Sequence, residues 1–163
     1  MRSARSANVS AFITLPTAKL LEAERLLRLF PAETALLFCG STAAAERVSR
    51  RFAIPMIAAE TPASERKRLL DQVAAGAVRA IASVRVLDEG WDVPTAKLGI
   101  VLGDSTKGSR RQHEQRLGRL LRRQGDRVAS LFELVVADTH EFYAAQKRGA
   151  AVRRKPPQFG LGF

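Results

Sequence analysis

Residues 109–123 read SRRQHEQRLGRLLRR, six arginines and a single acid in fifteen positions. On a helix at about 100° per residue, Gln115, Arg119 and Arg122 fall within about 60° of one another. Leu117 and Leu121 point the other way, toward a core, with His113 beside them as a half-buried packing residue. Gly118 allows a close approach to a neighbour. A guanidinium fork matches phosphate oxygens, and an arginine brought to a γ-phosphate stabilises the charge that spreads over it during transfer. The same side chains on a basic amphipathic helix would equally clamp a nucleic-acid backbone or an acidic partner, and spacing alone does not separate these uses. An acidic loop, VRVLDEGWDVP, precedes this segment; its Asp88 and Asp92 are suited to holding the arginines or to receiving a ribose hydroxyl.

Two stretches imitate nucleotide motifs without their working parts. Gly103, four residues and Gly108 follow a strand and open a helix, as a phosphate-cradling loop does. The lysine that should follow the second glycine is replaced by Ser109 and Arg110, and Lys107 stands on the wrong side. VRVLDE ends in Asp88-Glu89 like the acidic pair that holds magnesium in nucleotide hydrolases, yet Arg85 interrupts its apolar run. The pair also comes before the glycine loop instead of after it. No self-sufficient nucleotide-hydrolysing site is expected.

These residues need a scaffold, and 163 residues at 46% apolar give one domain with one core. Residues 17–30 carry Leu20, Ala23, Leu27 and Phe30 at helical spacing and stop at Pro31. Five strands are expected at 35–39, 54–58, 78–84, 97–103 and 130–136. Helices are expected between or after them at 42–52, at 61–75 with Thr61 as cap and Pro62 in the first position, at 109–123 and at 139–148. This alternation predicts an α/β, doubly wound, mainly parallel sheet with helices on both faces. Residues 1–16 form a lead-in, 17–150 the domain, and 151–163 a basic tail containing proline and glycine. In such sheets ligands bind beyond the carboxyl ends of the strands. The acidic loop and the arginine segment both begin there.

The formal charge of +11 and a pI near 11.1 favour polyanionic partners. No apolar run is long enough to span a bilayer, and the Arg- and Ser-rich opening lacks the apolar core of a secretion signal, so an intracellular protein is expected. One cysteine and two histidines make no metal site. Cys39, in ALLFC, reads as a buried strand thiol.

SRRQHEQRLGRLLR resembles motif VI of the superfamily-two helicases, and in particular the XPB-type DNA repair helicases; VRVLDEGWDVP resembles their motif V. ETPASERKRLLDQVAAGAVRAIAS is similar to the segment joining motifs IV and V, and ADTHEFYAAQKR to the closing helix. The resemblance spans about residues 17–148. It implies the second of two RecA-like lobes, which binds ATP jointly with the first in the cleft between them. It further implies Arg119 and Arg122 as arginine fingers, Gln115 facing the γ-phosphate or the attacking water, and Asp92, with Gly90 ahead of it and Asp88 nearby, at the ribose and the fingers. Ser83, Val84 and Arg85 fall where family members touch the nucleic-acid backbone; a threonine is usual near this point, and Ser83 or its neighbour corresponds to it. Ser41 and Thr42 are further candidates, and Arg110 joins them as a basic contact. Trp91 stands where a smaller aliphatic residue is common and is expected to pack under its loop.

The family's first lobe, with the P-loop and the acidic magnesium motif, does not stand in this sequence. Either the chain is part of a longer helicase, the favoured reading, or it is a lobe that works with another protein. ATP and Mg2+ would be bound mainly by that first lobe. The expected role is the C-terminal motor lobe of an ATP-dependent DNA helicase or translocase, inactive alone, in the cytoplasm or nucleus and without membrane contact. The alternatives are a non-catalytic nucleic-acid-binding or scaffolding module and a basic helix donor for an acidic protein. The joint presence of Gln115, Arg119, Arg122 and Asp92 favours the motor, because a binding module has no physical need of that set.

Overall fold

A computed structural model describes residues 15–84, 96–103, 129–137 and 139–149. Its first helix, α1 (Thr17–Leu29), buries Lys19, Leu20, Ala23 and Leu26 along one stripe. The Phe30 amide still bonds to the Leu26 carbonyl, and Pro31 prevents another turn. The buried strand β1 (Thr34–Cys39) follows.

Helix α2 (Thr42–Phe52) starts at Ser41, whose hydroxyl accepts from the Ala44 amide at 3.2 Å. This satisfies one of the orphan donors of the first turn. The helix ends at Ala53 in the left-handed conformation (φ 52°), the one non-glycine residue with positive φ among the described residues. Strand β2 is only Met56–Ile57.

Helix α3 (Ala63–Ala74) begins one position later than the sequence predicts. Pro62 occupies the cap position, and the Thr61 hydroxyl accepts from the Ala58 amide at 2.9 Å, so it closes the preceding turn instead of capping the helix. Strands β3 (Ala80–Val84), β4 (Ala96–Val101) and β5 (Ser130–Glu133) and helix α4 (His140–Gly149) complete the described elements.

The sheet order is β2-β3-β1-β4-β5 and every pairing is parallel. Phe38 of β1 lies between Ser83 of β3 and Val101 of β4. Alternate strand residues face opposite layers. Ala35, Leu37 and Cys39 pack with Leu20, Ala23 and Leu26 of α1 and Ala45 and Val48 of α2. Leu36, Phe38 and Ile81 pack with Leu69 and Val73 of α3. Helices therefore cover both faces, and strands buried on both sides are the nearly continuous apolar runs visible in the sequence. Among the described residues, no helix is long and apolar enough to cross a membrane.

Candidate functional site

Three adjacent strands, β3, β1 and β4, run in the same direction and end side by side. The acidic loop departs from the end of β3, α2 from the end of β1, and the glycine and arginine segment from the end of β4. The chain leaves β1 toward one edge of the sheet and β4 toward the other, which makes the β1/β4 boundary the topological switch point where doubly wound sheets bind ligands.

At that boundary the backbones are in close contact. The Leu102 amide donates to the Phe38 carbonyl at 2.8 Å, and a Cβ placed on Gly103 would overlap the backbone nitrogen and Cα of Gly40. Glycine is required at 103 because backbone, not a movable side chain, fills the space. The strand ends thus meet each other directly.

Of the residues the sequence singles out, Ser41 and Thr42 are exposed at the start of α2. The Ser41 hydroxyl accepts from Ala44, and its proton remains available for donation to a phosphate oxygen. Ser83 is placed differently. It is 2% exposed at the end of β3, and its hydroxyl has no hydrogen-bond partner among the described residues. Val84 is half-buried and packs against the α1 and α2 side of the sheet. Arg85, Asp88, Gly90, Asp92, Arg110, Gln115, Arg119 and Arg122 lie outside the described residues, as do the expected 109–123 helix, Trp91 and His113.

Cys39 is buried beside Ser83, and loss of solvent pushes its thiol up to about 12, with a backbone hydrogen bond from Ser83 acting in the other direction. A thiol held neutral is no nucleophile. Among the described residues no group of three His, Cys, Asp or Glu side chains is placed to hold a metal.

One buried charge has no counterpart among the residues the sequence singled out. Lys19 is 4% exposed; its Nζ donates to the Leu102 carbonyl at 3.0 Å and to Glu141 Oε2 of α4 at 2.7 Å. The signal was present, since Lys19, Ala23 and Leu26 fall on one helical face.

Most other basic side chains of α1 and α2 are committed to local partners. Glu24 receives Arg28 and Arg51, each at 2.6 Å, Arg25 pairs with Glu22, and Arg47 donates to the Leu15 carbonyl and the Thr17 hydroxyl. By contrast, eight of the 27 basic residues and only three acids fall in 104–128. The excess positive charge is concentrated beyond the end of β4.

The architecture is that of a RecA-like helicase C-terminal domain. The C-terminal domain of the DEAD-box protein Dbp5 superposes with a TM-score of 0.68 at 16% identity, covering 83% of this chain and 78% of that one. The E. coli DEAD-box protein SrmB gives 0.70 at 18%, covering 83% and 79%. Residues 4–154 match the ERCC3/RAD25/XPB C-terminal helicase family, and the chain belongs to that family. It is 36% identical over 131 residues to the DNA 3'-5' translocase XPB2 of Sulfurisphaera tokodaii, covering 80% of this chain and 29% of the relative. To the DNA 3'-5' helicase XPB of Kineococcus radiotolerans it is 37% identical over 103 residues, covering 62% and 18%. The chain therefore spans less than a third of the length of these relatives.

Proposed function

We propose that this chain is the second motor lobe of an ATP-dependent DNA helicase or translocase and that it acts only together with a first lobe. The observation that carries this reading is the departure of the motif V-like and motif VI-like segments from β3 and β4, on either side of β1, at one end of a family-matched parallel sheet. Arg119 and Arg122 act as arginine fingers on the γ-phosphate of ATP held by the first lobe, and Gln115 orients the attacking water. Asp92, with Gly90 and Asp88, meets the ribose and holds the fingers. Mg2+ stays mainly with the first lobe.

The nucleic-acid track on this lobe runs over exposed Ser41 and Thr42 and over Arg85 and Arg110. Burial of the Ser83 hydroxyl favours these residues over Ser83 as direct contacts, with Ser83 and Val84 fixing the backbone from which Arg85 departs. Contacts of this kind address phosphates, so binding is insensitive to sequence and steeply weakened by salt.

The test is a comparison of ATP hydrolysis by the chain alone and by the chain with an XPB-type first lobe supplied in cis or in trans, with and without DNA. No turnover alone and DNA-stimulated turnover with the partner lobe are expected. Robust turnover by the chain alone, or none in the reconstituted motor, overturns the reading.

A further inference from the structure

We infer that Lys19 is a positioning residue that fixes the exit of β4, the point from which the arginine segment departs. The inference rests on the motor reading for its functional consequence, but its structural part stands on Lys19, Leu102 and Glu141 alone.

Lys19 and Ser83 are the polar residues buried as a whole among the described ones, and of the two only Lys19 carries a charge; the Lys97 ammonium is also shut off from solvent, but it has no partner among the described residues. A buried ion pair is weak evidence of stabilisation, because apolar side chains of similar volume commonly serve stability as well or better. What distinguishes this ammonium is its choice of partners. One is Glu141, 122 positions away on the last described helix. The other is the carbonyl of Leu102, just past the end of β4.

The β4 exit is held from two further directions. The Leu102 amide is bonded to Phe38, and Gly103 rests on the backbone of Gly40. Lys19 adds the hold on the remaining polar group of Leu102 and ties it to α1 and α4 together. Three elements from distant parts of the chain thereby fix the backbone at Leu102 and Gly103, where β4 ends. In the motor reading the fingers belong to the segment that follows this exit in sequence, and an error of about 1 Å at a reacting group costs on the order of a hundredfold in rate.

The test uses Lys19→Met, Lys19→Arg and the double substitution Lys19→Met/Glu141→Met in the full chain. Hydrogen exchange is read amide by amide, alongside thermal unfolding. In Lys19→Met, the amides of Leu102, Gly103 and the residues after them should exchange at least about tenfold faster, while those of β3 and α3 keep their rates. The double variant removes the unpaired carboxylate and should regain the melting temperature but keep the fast exchange at the β4 exit. Lys19→Arg should recover part of the protection.

In the motor reconstituted with a first lobe, Lys19→Met and the double variant should lower kcat by about tenfold or more with the KM for ATP within about twofold. If the double variant regains both stability and slow exchange, or if its kcat equals that of the parent, Lys19 is packing only and the inference is overturned. If the parent motor itself shows no hydrolysis, the motor reading fails and the functional half of the inference falls with it, while the exchange data still decide whether Lys19 holds the β4 exit.

Discussion

Gly103 lies directly against Gly40, backbone on backbone, where β4 and β1 end side by side. A side chain at 103 forces the two strand ends apart, so Gly103→Ala is expected to destabilise the chain by about 3 kcal/mol, the upper range for overpacking. Gly76 provides the comparison. Its φ is +75° but a Cβ there meets nothing within 4 Å, and Gly76→Ala should cost only about 1–2 kcal/mol of left-handed strain. Urea unfolding of both variants measures the difference. Equal costs would show that the strand ends separate freely.

Cys39 supplies a pH signature. Its thiol is pushed from an ordinary 9.0 up to about 12 by burial. Below pH 9 both folded and unfolded thiols are protonated and the full stability is present. Between pH 9 and about 12 only the unfolded thiol ionises, so stability falls by up to about 1.4 kcal/mol per pH unit. Cys39→Ala should flatten that limb of the unfolding curve between pH 9 and 10.5. In the native chain at pH 8, a thiol reagent should react only at the rate of opening, and fast labelling would mean that the β1 end is accessible.

Ser83 separates burial from contact. Its hydroxyl has no partner among the described residues, so Ser83→Ala should leave stability unchanged or raise it by up to about 1 kcal/mol. DNA affinity should stay within about twofold, whereas Thr42→Val, at the exposed start of α2, should weaken it by about threefold to tenfold through loss of one hydrogen bond. A large affinity loss in Ser83→Ala at unchanged stability would place its hydroxyl on the track.

The sheet was legible because each strand is a short apolar run bounded by turn residues, and the amphipathic stripes of α1 and α2 follow from helical spacing. Two details were not. The sequence pairs Thr61 with Pro62 as a helix start, but a threonine hydroxyl also closes turns, and here the Ala58 amide wins it. Lys19 sits in the middle of an apolar stripe, yet a lysine is ordinarily read as solvated, and the carbonyl and carboxylate that justify its burial come from residues 83 and 122 positions away. Local pattern carries no information about partners at that distance. The finger and ribose assignments rest on motif resemblance and lie outside the described residues; spacing alone leaves them balanced between phosphate chemistry and a backbone clamp.

DNA binding should track the charge beyond β4. With eight basic residues in 104–128, the logarithm of affinity should fall steeply with the logarithm of salt concentration, and Arg110→Ala should reduce the slope by about 1 at every DNA sequence tried. Arg28→Ala, whose guanidinium is already paired with Glu24 at 2.6 Å, should leave the slope unchanged. Binding that discriminates sequence and survives raised salt would instead indicate base readout, and with it a non-catalytic binding module.

The arginine fingers give the sharpest division between the motor and a backbone clamp. In the motor reconstituted with a first lobe, Arg119→Ala should lower ATP turnover by about three to five powers of ten, or about 4–7 kcal/mol of transition-state stabilisation. DNA affinity should scarcely change, because the lost interaction belongs to the phosphate in flight and not to the track. Arg119→Lys should recover little, since an ammonium on a flexible stem does not reproduce a planar two-point fork. Arg110→Ala should show the reverse pattern, with weaker binding and nearly normal turnover at saturating DNA. Single-turnover hydrolysis and salt-dependent affinity, measured on both variants, separate the two roles. If Arg119→Ala weakens binding while the rate per bound complex is kept, the cluster grips nucleic acid and the finger assignment is wrong.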